Sequence, residues 1–99
     1  MKIIGKLSEN LKKGDIFYKA IYCYDGLDTC DLIARCTNKI ELVREIHRWL
    51  DEYVEDVETD YILVYEKEYI SKEDGCKTLR VYEYDGGFYL IKDYTKEAN

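Results

Sequence analysis

The sequence predicts an α+β domain: an antiparallel sheet of about five strands packed on one amphipathic helix, in the order ββαβββ. Three observations carry this. One stretch, residues 38–54, has apolar residues at three- and four-residue steps, the period of a helix with a single buried stripe. Elsewhere the runs are short, rich in aromatic and β-branched residues, and bounded by Asp-Gly pairs, which is strand and hairpin chemistry. Finally, 99 residues suffice for one modest core and not for two, so residues 1–99 read as one domain.

Ahead of the main set, Ile3, Ile4 and Leu7 suggest a short strand. Residues 8–14 then suggest a helical turn, with Ser8 as cap and Gly14 as a left-handed stop. Residues 15–24 are apolar at both parities, as expected of a central strand. Asp25-Gly26 opens a turn, and residues 30–36 pair back as a second strand. Unbroken alternation there would place Cys30, Leu32, Ala34 and Cys36 on one face, with Asp31 and Arg35 on a polar one.

The helix follows. Asn38 is a good N-cap and Glu41 completes a capping-box pattern. Leu42, Val43, Ile46, Trp49, Leu50, Tyr53 and Val54 form the stripe, leaving Glu41, Arg44, Glu45, Arg48, Asp51 and Glu52 toward water. Residues 61–70 make the next strand. Asp74-Gly75 turns it into a fourth, where Leu79 and Val81 share one face and Thr78, Arg80, Tyr82 and Tyr84 the other. If Leu79 and Val81 meet the helix, Tyr82 and Tyr84 face away. Asp85-Gly86-Gly87 reverses into a last strand over 88–94, and residues 95–99 read as a frayed tail.

Charge narrows the function. The net charge is −6, yet residues 1–20 hold five lysines against Glu9 and Asp15, a local +3, which leaves −9 on the remainder. Residues 51–60 hold six acids and no base. Such a chain is a poor match for phosphate backbones, so direct nucleic-acid binding is not expected. It suits a basic protein surface, since complementary fields speed encounter and reject wrong partners. Acidity that merely keeps a protein soluble is the plain alternative.

No catalytic pattern competes. The four cysteines form no C-x-x-C pair, and reduced, buried thiols are the expectation for Cys23, Cys30, Cys36 and Cys76. His47, the sole histidine, lies one turn before Asp51 without a nucleophile signature, and Gly86-Gly87 opens a strand, not a phosphate-binding helix. Neither an enzyme, a cofactor nor a metal site is expected. No apolar run approaches the roughly 20 residues of a bilayer span, and the first residues lack the apolar core of a signal peptide, so a cytoplasmic protein without membrane contact is expected.

The eleven tyrosines are the unusual feature, many of them beside acids. Tyrosine joins rigid area to a polar tip and is enriched at interface centres; its high β-propensity supplies the structural explanation. Together these features predict a partner-binding surface of Asp51, Glu52, Glu55, Asp56, Glu58, Asp60, Tyr65, Glu66, Glu68, Tyr69, Tyr82, Tyr84 and Asp85. Its expected role is to occlude a basic nucleic-acid-binding site on a nuclease or Cas-type effector, as small phage or mobile-element inhibitors of similar composition do. A small-molecule sensing domain and a homo-oligomer, such as a homodimer with tyrosines buried between copies, are the other classes.

Overall fold

In a computed structural model, which describes residues 11–26, 28–53 (Tyr53 by its backbone only) and 60–96, a five-stranded antiparallel sheet carries one helix. The elements are β1 (Ile16–Cys23), β2 (Cys30–Cys36), α1 (Lys39–Tyr53), β3 (Tyr61–Ser71), β4 (Gly75–Tyr84) and β5 (Phe88–Asp93), followed by a 3-10 turn at Tyr94–Lys96. The strand order β2-β1-β3-β4-β5 places β1 inside the sheet, as its apolar parity on both sides requires, and leaves β2 and β5 as edges. The expected N-terminal strand, and residues 8–10 of the helical turn after it, fall outside the described residues. Residues 11–14 hold a turn, closed by the Asp15 N–H donating to the Lys12 carbonyl at 2.9 Å, and not a helix. Gly14 does adopt the left-handed conformation expected of it, with φ +95.

The helix starts where its cap dictates: the Glu41 N–H donates to Asn38 Oδ1 at 2.8 Å. Leu42 and Ile46 are completely buried over Ala20, Ala34, Cys36 and Val64, while Trp49 and Leu50 are half-buried at the edge of that cluster. Glu45, expected in water, is instead only 5% exposed. It lies beside Leu42, Ile46 and Trp49 on the helix surface, so the broad apolar stripe carries it inward, and Arg48 reaches its carboxylate at 3.5 Å.

The helix rests on β1 and β2. Tyrosines close the rest of that face. Tyr18, Tyr82, Tyr84 and Phe88 pack against the core cluster, and the Lys39 ammonium sits 5.7 Å, 5.1 Å and 5.0 Å from the ring centroids of Tyr18, Tyr82 and Phe88. Tyr82 and Tyr84 therefore point toward the helix layer, not away from it. Val81, 8% exposed, lies on the opposite face with Phe17 and Tyr69.

Two of the sheet's four register shifts overturn the simple alternation. In β2 the register moves from Ala20↔Ala34 to Ile21↔Leu32, so Ile33 is the extra residue. Ala34 and Cys36 face the helix, whereas Cys30 and Leu32 face the far side, and Asp31 and Arg35 likewise separate. In β4, Glu66↔Arg80 is followed by Lys67↔Thr78, so Leu79 is extra and Thr78 leaves the face of Arg80. The turns match the sequence. Gly26, Gly75 and Gly86 have φ +80, +77 and +76, a left-handed conformation that side chains disfavour, at the three positions where hairpins reverse. Among the described residues no helix is long and apolar enough to cross a membrane.

Candidate functional site: an acidic, phenol-lined cleft

The C-terminal half of α1 overhangs the sheet where β3 begins and β4 ends. Between them lies a cleft of about 330 Å³ lined by Tyr22, His47, Leu50, Asp60, Tyr61, Ile62, Glu83, Tyr84, Asp85 and Gly86. No lysine or arginine is part of that lining. Register divides that lining. Tyr61, opposite Cys23, and Glu83, between Tyr82 and Tyr84, have the parity of the far face. The acids and phenols on the helix side are therefore Asp60, Asp85, Tyr22 and Tyr84, beside the single histidine.

Each wall follows from local structure. Asp60 precedes β3 and bridges to β1: its Oδ2 accepts the Tyr22 hydroxyl at 2.7 Å and its Oδ1 the Asp25 N–H at 2.8 Å. Burial, with the Asp60 hydrogen bond and charge beside it, pushes the Tyr22 phenol up to about 12, so it remains a neutral donor. The Tyr22 ring lies 4.8 Å from that of Trp49 and 5.0 Å from that of Tyr24, whose hydroxyl donates to Asp31. Across the cleft, His47 Nε2 is 3.1 Å from the Tyr84 hydroxyl. Glu83 and Asp85 flank Tyr84 in sequence, and both are exposed.

The predicted partner surface is therefore divided. Asp60, Tyr84 and Asp85 meet in the cleft. Asp51 and Glu52 are exposed on the last turn of α1, which borders it through His47 and Leu50. Glu55, Asp56 and Glu58 lie outside the described residues. The others go elsewhere. Glu66 is taken up internally, accepting from Arg80 Nη1 at 3.0 Å and from the Tyr82 hydroxyl at 3.2 Å. Glu68 stands opposite Lys77. Tyr69 is 7% exposed and belongs to the core. Tyr65 lies on the far face beside Lys19 and under the Lys67 ammonium, 5.6 Å from its ring, in basic surroundings.

That far face is cationic at its centre. Lys19 is paired directly opposite Arg35 and lowered from the ordinary lysine value by burial first, then by Lys67 and Arg35. That cationic centre contrasts with the cleft lining, which holds no lysine or arginine, although Lys39 and Arg80 stand elsewhere on the helix side.

Sequence reasoning missed Tyr22 and His47 as cleft residues. Nothing local marks them, because bringing His47 to Tyr84 requires β4 to sit two strands from β1, a fact of strand order. Among the described residues no group of three or more His, Cys, Asp or Glu is arranged to hold a metal ion. No protein-family model, no curated protein and no solved structure matches the chain.

Proposed function

We propose that this is a non-enzymatic binding protein, carried by a phage or mobile element and working in the host cytoplasm, whose cleft receives basic side chains from a partner protein. The partner is a nuclease or Cas-type effector, and the consequence is occlusion of the surface on which it binds nucleic acid. The observation that supports this is the cleft's chemistry: Asp60 and Asp85 line it with Tyr22 and Tyr84, and no lysine or arginine is part of the lining. Guanidinium and ammonium groups are recognised by that combination, carboxylates pairing the charge and ring faces holding the stem. The negative field would also steer a basic partner toward the cleft mouth.

The experiment is capture of bacterial nucleases and effectors on immobilised protein at low and high salt, with the charge-reversed variant Asp85→Lys in parallel. Asp85 is exposed, so the variant keeps the fold. Binding is expected to weaken steeply with salt, as screening requires, to fall at least tenfold in the variant, and to inhibit the captured enzyme's nucleic-acid cleavage. A partner held equally by both proteins at every salt concentration overturns the proposal.

A second reading has its own support. The cleft's volume of about 330 Å³ lies within the range of small-ligand pockets, and Leu50 and Ile62 give it an apolar floor. A cationic aromatic ligand that raises the melting temperature of the isolated protein would favour a sensing or sequestering role.

A further inference from the structure

The far face carries a feature independent of the cleft. Cys23 and Cys30 are directly paired across β1 and β2 at the rung that closes the hairpin. Cys30 Sγ lies 3.2 Å from Cys23 Sγ. Both are thiols; Cys30 is exposed and Cys23 is buried. We propose that Cys23 and Cys30 form a reversible thiol–disulfide site, oxidised by low-molecular-weight disulfides of the glutathione class.

Geometry favours closure. Directly opposed residues of an antiparallel pair have Cα atoms about 4.5–5.5 Å apart, inside the range that disulfides span. Contracting the present sulfur separation to about 2 Å needs a movement of about 1 Å, which side-chain rotation supplies without displacing a strand. The bulge at Ile33 makes the pairing: it turns Cys30 onto the face of Cys23, while Cys36 stays beneath the helix.

The roles of the two sulfurs differ. Cys30, the accessible one, loses its proton to solvent and attacks a sulfur of the oxidant, forming a mixed disulfide and expelling one glutathione thiolate. Cys23 then loses its proton and attacks Cys30 Sγ, expelling the second. Two protein thiols and one glutathione disulfide become one protein disulfide and two glutathione thiols. Burial, then the hydrogen bond and charge of Cys30, push the Cys23 thiol up to about 12. The second step is favoured by position, because the capped Cys30 sulfur already lies beside Cys23 Sγ and the attack is intramolecular. The new bond closes the hairpin beneath the turn whose Asp25 N–H is anchored on Asp60.

The test is native-state incubation with glutathione disulfide, followed by alkylation, intact mass and peptide mapping. The expected product has lost two hydrogens, links Cys23 to Cys30, and leaves Cys36 and Cys76 open to alkylation after unfolding. It melts at a higher temperature than the reduced protein. The variant Cys23→Ala should instead stop at one glutathione on Cys30. Wild-type protein that ends as a stable glutathione adduct on Cys30, or that forms a bond through Cys76 instead, overturns the proposal. Because the product is read on wild-type protein, the outcome does not depend on whether the variant folds.

Discussion

Asp60 joins three parts of the chain with one carboxylate, and its removal gives the sharpest test of how the cleft is held. In Asp60→Ala, the Tyr22 hydroxyl and the Asp25 N–H both lose an acceptor, from distances of 2.7 Å and 2.8 Å. A hydrogen bond to a charged group contributes about 1.5–3 kcal/mol, and a buried donor left alone costs about 1–3 kcal/mol. Tyr22 is only 3% exposed, so water does not replace its partner, whereas the Asp25 N–H is at the surface and is rehydrated. The expected loss is therefore about 3 kcal/mol, most of it from Tyr22. For a chain of this length that lowers the melting temperature by roughly 10–20 °C. Tyr22→Phe should cost about 1–1.5 kcal/mol, since it deletes the donor without stranding it. The two should couple by about 1–2 kcal/mol in a double-mutant cycle. Urea unfolding followed by Trp49 fluorescence reads the relevant region, because that indole lies against the Tyr22 ring. A change under about 0.5 kcal/mol for Asp60→Ala, or no coupling, refutes the reasoning that a buried phenol depends on this carboxylate.

Three further outcomes follow from the same structure. Leu42→Ala empties a completely buried site under α1 and should cost about 3–4 kcal/mol by chemical denaturation, the usual range for a truncated core leucine. Lys19→Met should stabilise, by up to about 1 kcal/mol, because it removes one of two like charges placed directly opposite each other while keeping the aliphatic stem; a melting temperature at or below that of wild type refutes this. The Tyr22 phenol, raised from 10.0 to about 12 by burial first and Asp60 second, contributes stability that is complete below its ordinary value and is lost as the pH climbs toward 12. Ultraviolet titration should find one phenol ionising last, and Asp60→Asn should bring it down while burial keeps it above the ordinary value.

The helix and the hairpins were legible because their signals are local. Asn38 caps, the stripe repeats, and Asp-Gly pairs mark reversals whatever the rest of the chain does. Faces were less legible. One extra residue at Ile33 and another at Leu79 invert parity within a strand, so counting by twos put Cys30 with Cys36 and Thr78 with Arg80, and neither pair survives. The site was half legible: Asp60, Tyr84 and Asp85 follow from composition, while Glu66 does not belong there because its binding to Arg80 and Tyr82 depends on cross-strand register. The abundance of tyrosine also has a physical origin that sequence alone left undecided. A single helix covers only the β1 and β2 half of its face, and amphipathic rings close the β4 and β5 half, where a phenol reaches water and a leucine would not.

The offset at Ile33 decides which missing residue this hairpin tolerates. Excising Ile33 would join Leu32 directly to Ala34, and the rungs from Tyr18↔Cys36 to Cys23↔Cys30 would all stand, at the expense of one buried side chain. Ironing the offset out while keeping Ile33 would do the opposite. Ile33 would then meet Ile21, Leu32 and Cys30 would swing beneath the helix, and Asp31 would be carried to the side where Lys19 and Arg35 stand. That slip would part the two sulfurs and unlatch Tyr24 in a single step, so the irregular ladder, not the straight one, is what keeps this end of the sheet in order.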